Sequence, residues 1–325
     1  MPIIREAGEF IDNVHMIDLN QYGMHKVCSS FLVHWDDSTV IPDCGTSDDY
    51  RKILTYMKKH NISRESVKYI VPSHHHFDHS GGASRILKKL EKYNPSIKIL
   101  TTDITKSQLQ NPEKHMKAAA STYSDWVGKM DPIADNYFQV IEPDTIFQLD
   151  EDEKLELMLF SSPGHTYDHV CPTIFKKNLP VFSYFGEASG TLFNAKDLLT
   201  LPTSMPTEFN YEKYMNSVKR IKELGVINAG FCHFGAITTA EDVNVILDDQ
   251  ISFLPIFRDF VKTKYEEFQS TKPVVNAVIS DLFVERSSFH RSEGLSEAYK
   301  GISTRNALAL VYGMLVDLGY KKNKY

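Results

Sequence analysis

Four times in this chain an apolar run of strand length ends in a turn and then a histidine or carboxylate. Residues 67–72 lead into Ser73-His74-His75-His76-Phe77-Asp78-His79-Ser80-Gly81-Gly82. Residues 155–160 lead into Ser161-Ser162-Pro163-Gly164-His165-Thr166, residues 181–185 into Gly186-Glu187-Ala188, and residues 226–231 into Cys232-His233-Phe234-Gly235. Strand ends on one edge of a layered sheet converge, so side chains distant in sequence can meet there, and glycine lets the backbone turn tightly beside them. The first of the four is the densest. It sets His74, His76, Asp78 and His79 in an H-x-H-x-D-H pattern, and imidazole and carboxylate are the ligands that hold zinc, iron or manganese. Closely spaced ligands order at little cost in chain entropy, and the segment reads as a metal site.

The runs between these turns predict an alternating β/α plan. Strands are expected at 13–18, 29–35 and 38–43, the last two joined by a turn at Asp36-Asp37. A helix should start near Ser47, where Tyr50, Ile53, Leu54 and Met57 recur at helical spacing. The strand 68–71 precedes the dense segment, a helix is expected over about 80–93, and another strand at 98–101. Residues 106–136 interrupt the alternation with a polar, helix-prone insertion carrying Tyr123 and Trp126, and long insertions often line binding sites. Strands resume at 145–149, 155–160, 181–185 and 226–231, with a helix at 211–224. From Thr239 onward the pattern is helical, which divides the chain into a metal-binding domain, 1–245, and a helical C-terminal subdomain, 246–325. Phe253, Phe257, Phe260, Tyr265 and Phe268 are too many aromatics for a solvated helix, so burial is expected. The tail then either covers the active site or forms a homodimer interface.

Composition removes several function classes. With a net charge of −6 the chain is a poor ligand for a phosphate backbone, and no nucleic-acid partner is expected. Residues 1–20 lack the apolar core of a signal peptide and no run has the length to span a bilayer, so a cytoplasmic, membrane-free location is expected. The four cysteines, Cys28, Cys44, Cys171 and Cys232, are far apart and form no C-x-x-C. Buried thiols are expected, with Cys232, beside His233, the one for which a nucleophile or ligand role is weighed.

In their order and intervals the four turns resemble the metallo-β-lactamase-fold hydrolases. The residues that carry the likeness are His74-x-His76-x-Asp78-His79-x-Gly81-Gly82, Pro163-Gly164-His165-Thr166, Gly186-Glu187 and Cys232-His233-Phe234-Gly235. It covers about residues 10–240, and within the superfamily it looks most like the glyoxalase-II-like and lactonase-like branch. The resemblance implies an α/β fold, a four-layer αβ/βα sandwich with metals at one edge, here with a helical C-terminal extension. It implies that His74, His76 and His165 hold one divalent ion and Asp78, His79 and His233 a second. Glu187 stands where the family normally has an aspartate bridging both ions. Zinc is the first expectation for both, with iron or manganese as alternatives. Asp43 resembles the family's buried aspartate beside the site and is expected to accept a proton from a ligating imidazole.

Such a ligand set can acidify a shared water and present it as hydroxide while polarising a carbonyl. The expected activity is metal-dependent hydrolysis of an ester, lactone or thioester of a small molecule, with Asp78 and Glu187 in catalytic positions. The alternative is an iron-dependent redox enzyme, persulfide-dioxygenase-like on His74, His165 and Glu187, or diiron. Other residues carry plainer expectations. His75 points away from its neighbours in an extended segment, and His169 is a structural or supporting residue near His165. His15, His34, His60, His115 and His290 carry no spacing signal. Tyr22 and His25, on an early loop, and Phe209 and Tyr211, before a helix, are weighed as pocket residues against ordinary packing.

Overall fold

The computed structural model describes residues 2–35, 37–150, 154–193, 195, 197–206, 208–287 and 297–322. Its first seven strands lie side by side in chain order: β1 (Gly8–Ile11), β2 (Val14–Asp18), β3 (Ser29–Trp35), β4 (Ser38–Pro42), β5 (Val67–Val71), β6 (Lys98–Thr101) and β7 (Phe138–Val140). Pairing is antiparallel through β4 and parallel from β4 to β7, because helical crossovers begin after β4. Those crossovers are α1 (Tyr50–Lys59), α2 (Phe77–Ser80), α3 (Ala83–Leu90), α4 (Asp103–Gln110) and α5 (Glu113–Tyr123). Asp36 of the expected β3–β4 turn lies outside the described residues, as does His290.

The second sheet runs β13-β12-β11-β10-β9-β8, built from β8 (Ile146–Asp150), β9 (Leu155–Ser161), β10 (Val170–Lys176), β11 (Leu179–Gly186), β12 (Ala229–Phe231) and β13 (Gly235–Ile237). Only β11 and β12 pair in parallel, across α6 (Tyr211–Glu223). The period of two in β9 shows how the layers are assigned. Leu155, Leu157 and Leu159 enter the core shared with the first sheet, α1 and α3, whereas Met158 and Phe160 face the core shared with the later helices. Helices, sheet, sheet and helices therefore stack as a four-layer αβ/βα sandwich.

The later helices are α7 (Ala240–Phe268), α8 (Thr271–Ala277), α9 (Val284–Arg286) and α10 (Glu297–Asp317). Phe253, Phe257, Val261 and Tyr265 recur every four residues along α7 and are buried, while Phe268, also expected inside, is exposed. Position 245 lies within α7, and one apolar core is common to β11, β12, α6, α7, α8 and α10. Among the described residues no helix is long and apolar enough to cross a membrane.

Several boundaries differ from expectation. The helix expected over 80–93 is the shorter α3, with the one-turn α2 before it: the Gly82 N–H donates to the Gly45 carbonyl at 2.9 Å, and a Cβ on Gly82 would fall 2.5 Å from the Cys44 carbonyl oxygen, so the two glycines pack on the loop after β4. β1, β7, β10 and β13 were not foreseen. β10 was hidden by Pro172, which a central strand ordinarily excludes. It is tolerated because pairing with β11 extends only to Thr173.

Candidate metal centre

The seven residues expected as ligands meet at the edge of the sandwich where β5, β9, β11 and β12 end. Local conformation explains how one short segment serves two positions. His76 is extended (φ −61°, ψ 148°) and precedes α2, so His74 and His76 point one way and Asp78 and His79, on the helical turn, another. Donor atoms of His74, His76, His165 and Glu187 cluster in one group, and those of Asp78, His79 and His233 in a second. His165 Nε2 lies 3.1 Å from His76 Nδ1 and 2.5 Å from Glu187 Oε2. The same Glu187 oxygen is 3.8 Å from His79 Nε2, and Glu187 Oε1 is 3.5 Å from His233 Nε2, which in turn is 3.7 Å from Asp78 Oδ2.

Four imidazoles are held by their far nitrogens. His79 Nδ1–H donates to Asp43 Oδ2 at 2.6 Å, His165 Nδ1–H to the Thr203 carbonyl at 2.7 Å and His233 Nδ1–H to the Val27 carbonyl at 3.0 Å. Ser73 Oγ donates to Asp43 and accepts from His74 Nδ1–H at 3.0 Å. Each bond turns Nε2 inward, and in the neutral ring that Nε2 carries the lone pair. His74 Nε2 and His79 Nε2 are buried and have no hydrogen-bond partner. A buried polar atom left unpaired is costly. Two such atoms facing a cluster of other donors are what a divalent ion would satisfy, so the residues fit a metal centre. Burial and the neighbouring imidazoles keep His74 and His76 far below the usual histidine range, hence neutral as ligands must be. For Glu187 burial pushes the pKa up, but His165, with His233 and His79, holds the carboxyl well below the usual range.

The turns are equally fixed. Gly186 has φ +53°, and a Cβ there would fall 2.9 Å from His169 Nε2. His169 accepts from the Glu187 backbone N–H at 3.2 Å and bonds Ser162 Oγ through Nδ1, so it supports the Glu187 turn. Gly164 (φ +142°) packs so closely on the first turn of α6 that a Cβ would lie 2.3 Å from Tyr214 Cα, which seats His165. His75 points away, as expected, with its backbone N–H and Nδ1–H both on Asp168.

The sequence profile of the metallo-beta-lactamase superfamily matches residues 25–179, which include β5, the dense histidine segment and the His165 turn. The metallo-beta-lactamase fold-containing protein ST1585 of Sulfurisphaera tokodaii is 23% identical over 230 residues, 69% of this chain and 79% of that one. Its crystal structure superposes with a TM-score of 0.63, covering 94% of this chain and 98% of that one at 19% identity. Residues 25–179 thus match the metallo-β-lactamase superfamily, and the chain shares its fold. The superfamily protein TTHA1429 from Thermus thermophilus shares the fold, with a TM-score of 0.61 at 13% identity over 95% and 94% of the two chains. The hydroxyacylglutathione hydrolase of Pelagibacter ubique is 26% identical over 174 residues, 54% of this chain and 53% of that one. Members of the superfamily are mostly metal-dependent hydrolases, and the fold implies divalent metal binding.

In this chain α5 and α10 roof the site. Tyr123 Oη donates to Asn306 Oδ1 at 3.1 Å, tying the two helices, and Tyr22 stacks on Trp126 at 5.1 Å between ring centroids. Two cavities open from Asp78 and Glu187 beneath this roof. A chamber of about 520 Å³ is lined by His76, His115, Tyr123, Tyr167, Glu208 and Arg305 among others. A smaller apolar pocket of about 50 Å³ lies toward His233, walled by Tyr22, Phe193, Phe283, Ile302 and Leu310. Tyr22 and Tyr123 thus line cavities, whereas His25 turns outward to Asp18 and Phe209 packs in the core on Tyr214. Tyr211, half-buried, lies under Arg258.

His115 departs from expectation. It stacks on His76 with centroids 5.1 Å apart, and its Nε2 accepts the Phe77 backbone N–H at 3.1 Å. Burial pushes its pKa down to about 3, so it stays neutral. No spacing rule ties a residue on α5 to the β5 loop; only the insertion's length hinted at it. The four cysteines are buried and free, and burial raises the Cys232 thiol well above its usual range, which leaves it a poor nucleophile.

Proposed function

We propose that this chain is a metal-dependent hydrolase of an ester, lactone or thioester of a small molecule. In this reading two divalent ions, zinc by preference, would be held by His74, His76 and His165 and by Asp78, His79 and His233, with Glu187 within reach of both groups. The observation that carries it is the reach of Glu187: one oxygen faces His165 and His79, and the other faces His233. The extra methylene over aspartate therefore does not withdraw the carboxylate from either group. Bound divalent ions supply Lewis acidity at a scissile carbonyl and acidify a water. Asp78, which lines both cavities, is placed to accept a hydrogen bond from the attacking group and orient it.

The match to a mostly hydrolytic superfamily supports this reading, as does the hydrolase name of the Pelagibacter relative. The persulfide-dioxygenase-like form of the redox alternative draws on His74, His165 and Glu187, but His76 shares their group, giving four donors where a facial triad has three. The test is a panel of esters, lactones and thioesters assayed with zinc-loaded protein and with His76→Ala and His165→Ala. Both variants should lose first-group metal and at least about 100-fold in turnover. Hydrolysis that persists in metal-depleted variants would overturn the proposal.

A further inference from the structure

The two cavities under the roof differ in kind as well as in size. The pocket toward His233 is small, apolar and closed by α10 and Phe283, so it accepts little more than a short alkyl group. Any larger part of a ligand must extend into the chamber, whose lining includes two cations, Lys114 and Arg305. The carboxylates of that chamber turn toward histidines: Asp78 and Glu187 face the imidazoles, and Glu208 Oε1 lies 3.8 Å from His75 Nε2, although Glu208 Oε2 is buried without a hydrogen-bond partner. Arg305 has no carboxylate or hydrogen-bond partner among the described residues. Its guanidinium instead lies over the Trp126 ring, 5.1 Å from the centroid, half-buried on the first turns of α10.

A guanidinium laid on an indole keeps its edge of N–H donors free, and that planar fork matches a carboxylate in two parallel bonds. The stacking also fixes the side chain in advance, so less rotamer freedom is lost when an anion binds. We infer that Arg305, assisted by Lys114, forms an anion-recognising subsite, and that the substrate joins a short apolar acyl group to a leaving group bearing a carboxylate. The acyl group enters the pocket toward His233 and the carboxylate lies under the roof against Arg305. This rests on the hydrolytic reading for the word substrate, although the subsite itself does not depend on turnover.

Matched esters test it: 4-acetoxybenzoate and its uncharged amide, 4-acetoxybenzamide, share an acetyl group and differ only at the distal carboxylate. With each kcat/KM taken relative to spontaneous hydrolysis of the same ester, the zinc-loaded protein should favour the anion by about 10-fold to 100-fold, mostly through KM. Arg305→Gln should reduce that ratio to near one, Arg305→Lys should retain part of it, and Arg305→Glu should invert it. An unchanged ratio in Arg305→Gln, or no anion preference in the wild type, overturns the inference. Calorimetric binding of 4-hydroxybenzoate against 4-hydroxybenzamide separates the two readings. Arg305-dependent preference for the anion without hydrolysis of either ester keeps the subsite and removes the hydrolase; hydrolysis without Arg305-dependent preference does the reverse.

Discussion

Asp43 Oδ2 lies 2.6 Å from His79 Nδ1, and the Asp43 carboxylate also accepts from Ser73 N–H, Ser73 Oγ and Tyr184 Oη. Asp43 is buried at the end of β4 with φ +50°, a conformation aspartate tolerates better than most residues. Burial pushes its pKa up, but the charge and hydrogen bond of His79, with two bonds from Ser73, bring it below the usual value. Through Ser73 Oγ the same carboxylate also steadies His74. Asp43→Asn should therefore weaken zinc binding by about 10-fold to 100-fold. Competition against a chromophoric chelator measures this, and unaltered affinity would show that the imidazoles are oriented without it.

The Glu187 turn leaves no room for a side chain at Gly186. Gly186→Ala must place an L-residue at φ +53° and push a methyl against His169 Nε2 and Ser73 Oγ. A loss of about 1–3 kcal/mol of stability is expected, with weaker zinc binding because Glu187 would shift relative to both groups. Urea denaturation and metal content of the variant check the two effects separately.

A second buried pair sets the acid limb of stability. Burial pushes the Asp168 carboxyl up, but the charge and hydrogen bond of His75, with Thr166 and Thr105, bring it down to about 2. A pKa below the unfolded value of about 3.9 gives stability that is present above about pH 4 and lost as pH falls toward 2. For His75, burial lowers the pKa, but Asp168 reverses this and raises it. Its contribution is therefore full below about pH 6.5 and fades as pH rises through the folded value. Asp168→Asn should be less stable than the wild type by about 3 kcal/mol between pH 4 and 6.5, and the gap should close toward pH 2. Urea midpoints of both proteins across that range are the check; a gap independent of pH would remove the ion pair from the account.

Much of the site was legible because its residues obey local rules. The turns that carry the candidate ligands follow apolar runs, and the alternation in H-x-H-x-D-H is what an extended segment running into a helical turn requires. Glu187 could be placed by the glycine before it. What escaped was set by tertiary packing. β10 carries Pro172, a strand-breaking signal overridden because one neighbour does not pair with it there. His115 and Arg305 reach the site from α5 and α10 only because those helices pack together through Tyr123 and Asn306, a contact separated by 183 residues. Periodicity marks those segments as helices and says nothing about where they dock.

The shared position of Glu187 between two histidine groups is tested most directly by titrating zinc into metal-free protein while following hydrolysis of the best ester, lactone or thioester in the panel. Turnover should be absent without metal, rise until two equivalents per chain are bound, and disappear again on chelation. Full turnover in the metal-free protein, or none at two bound equivalents on any member of the panel, would contradict the account.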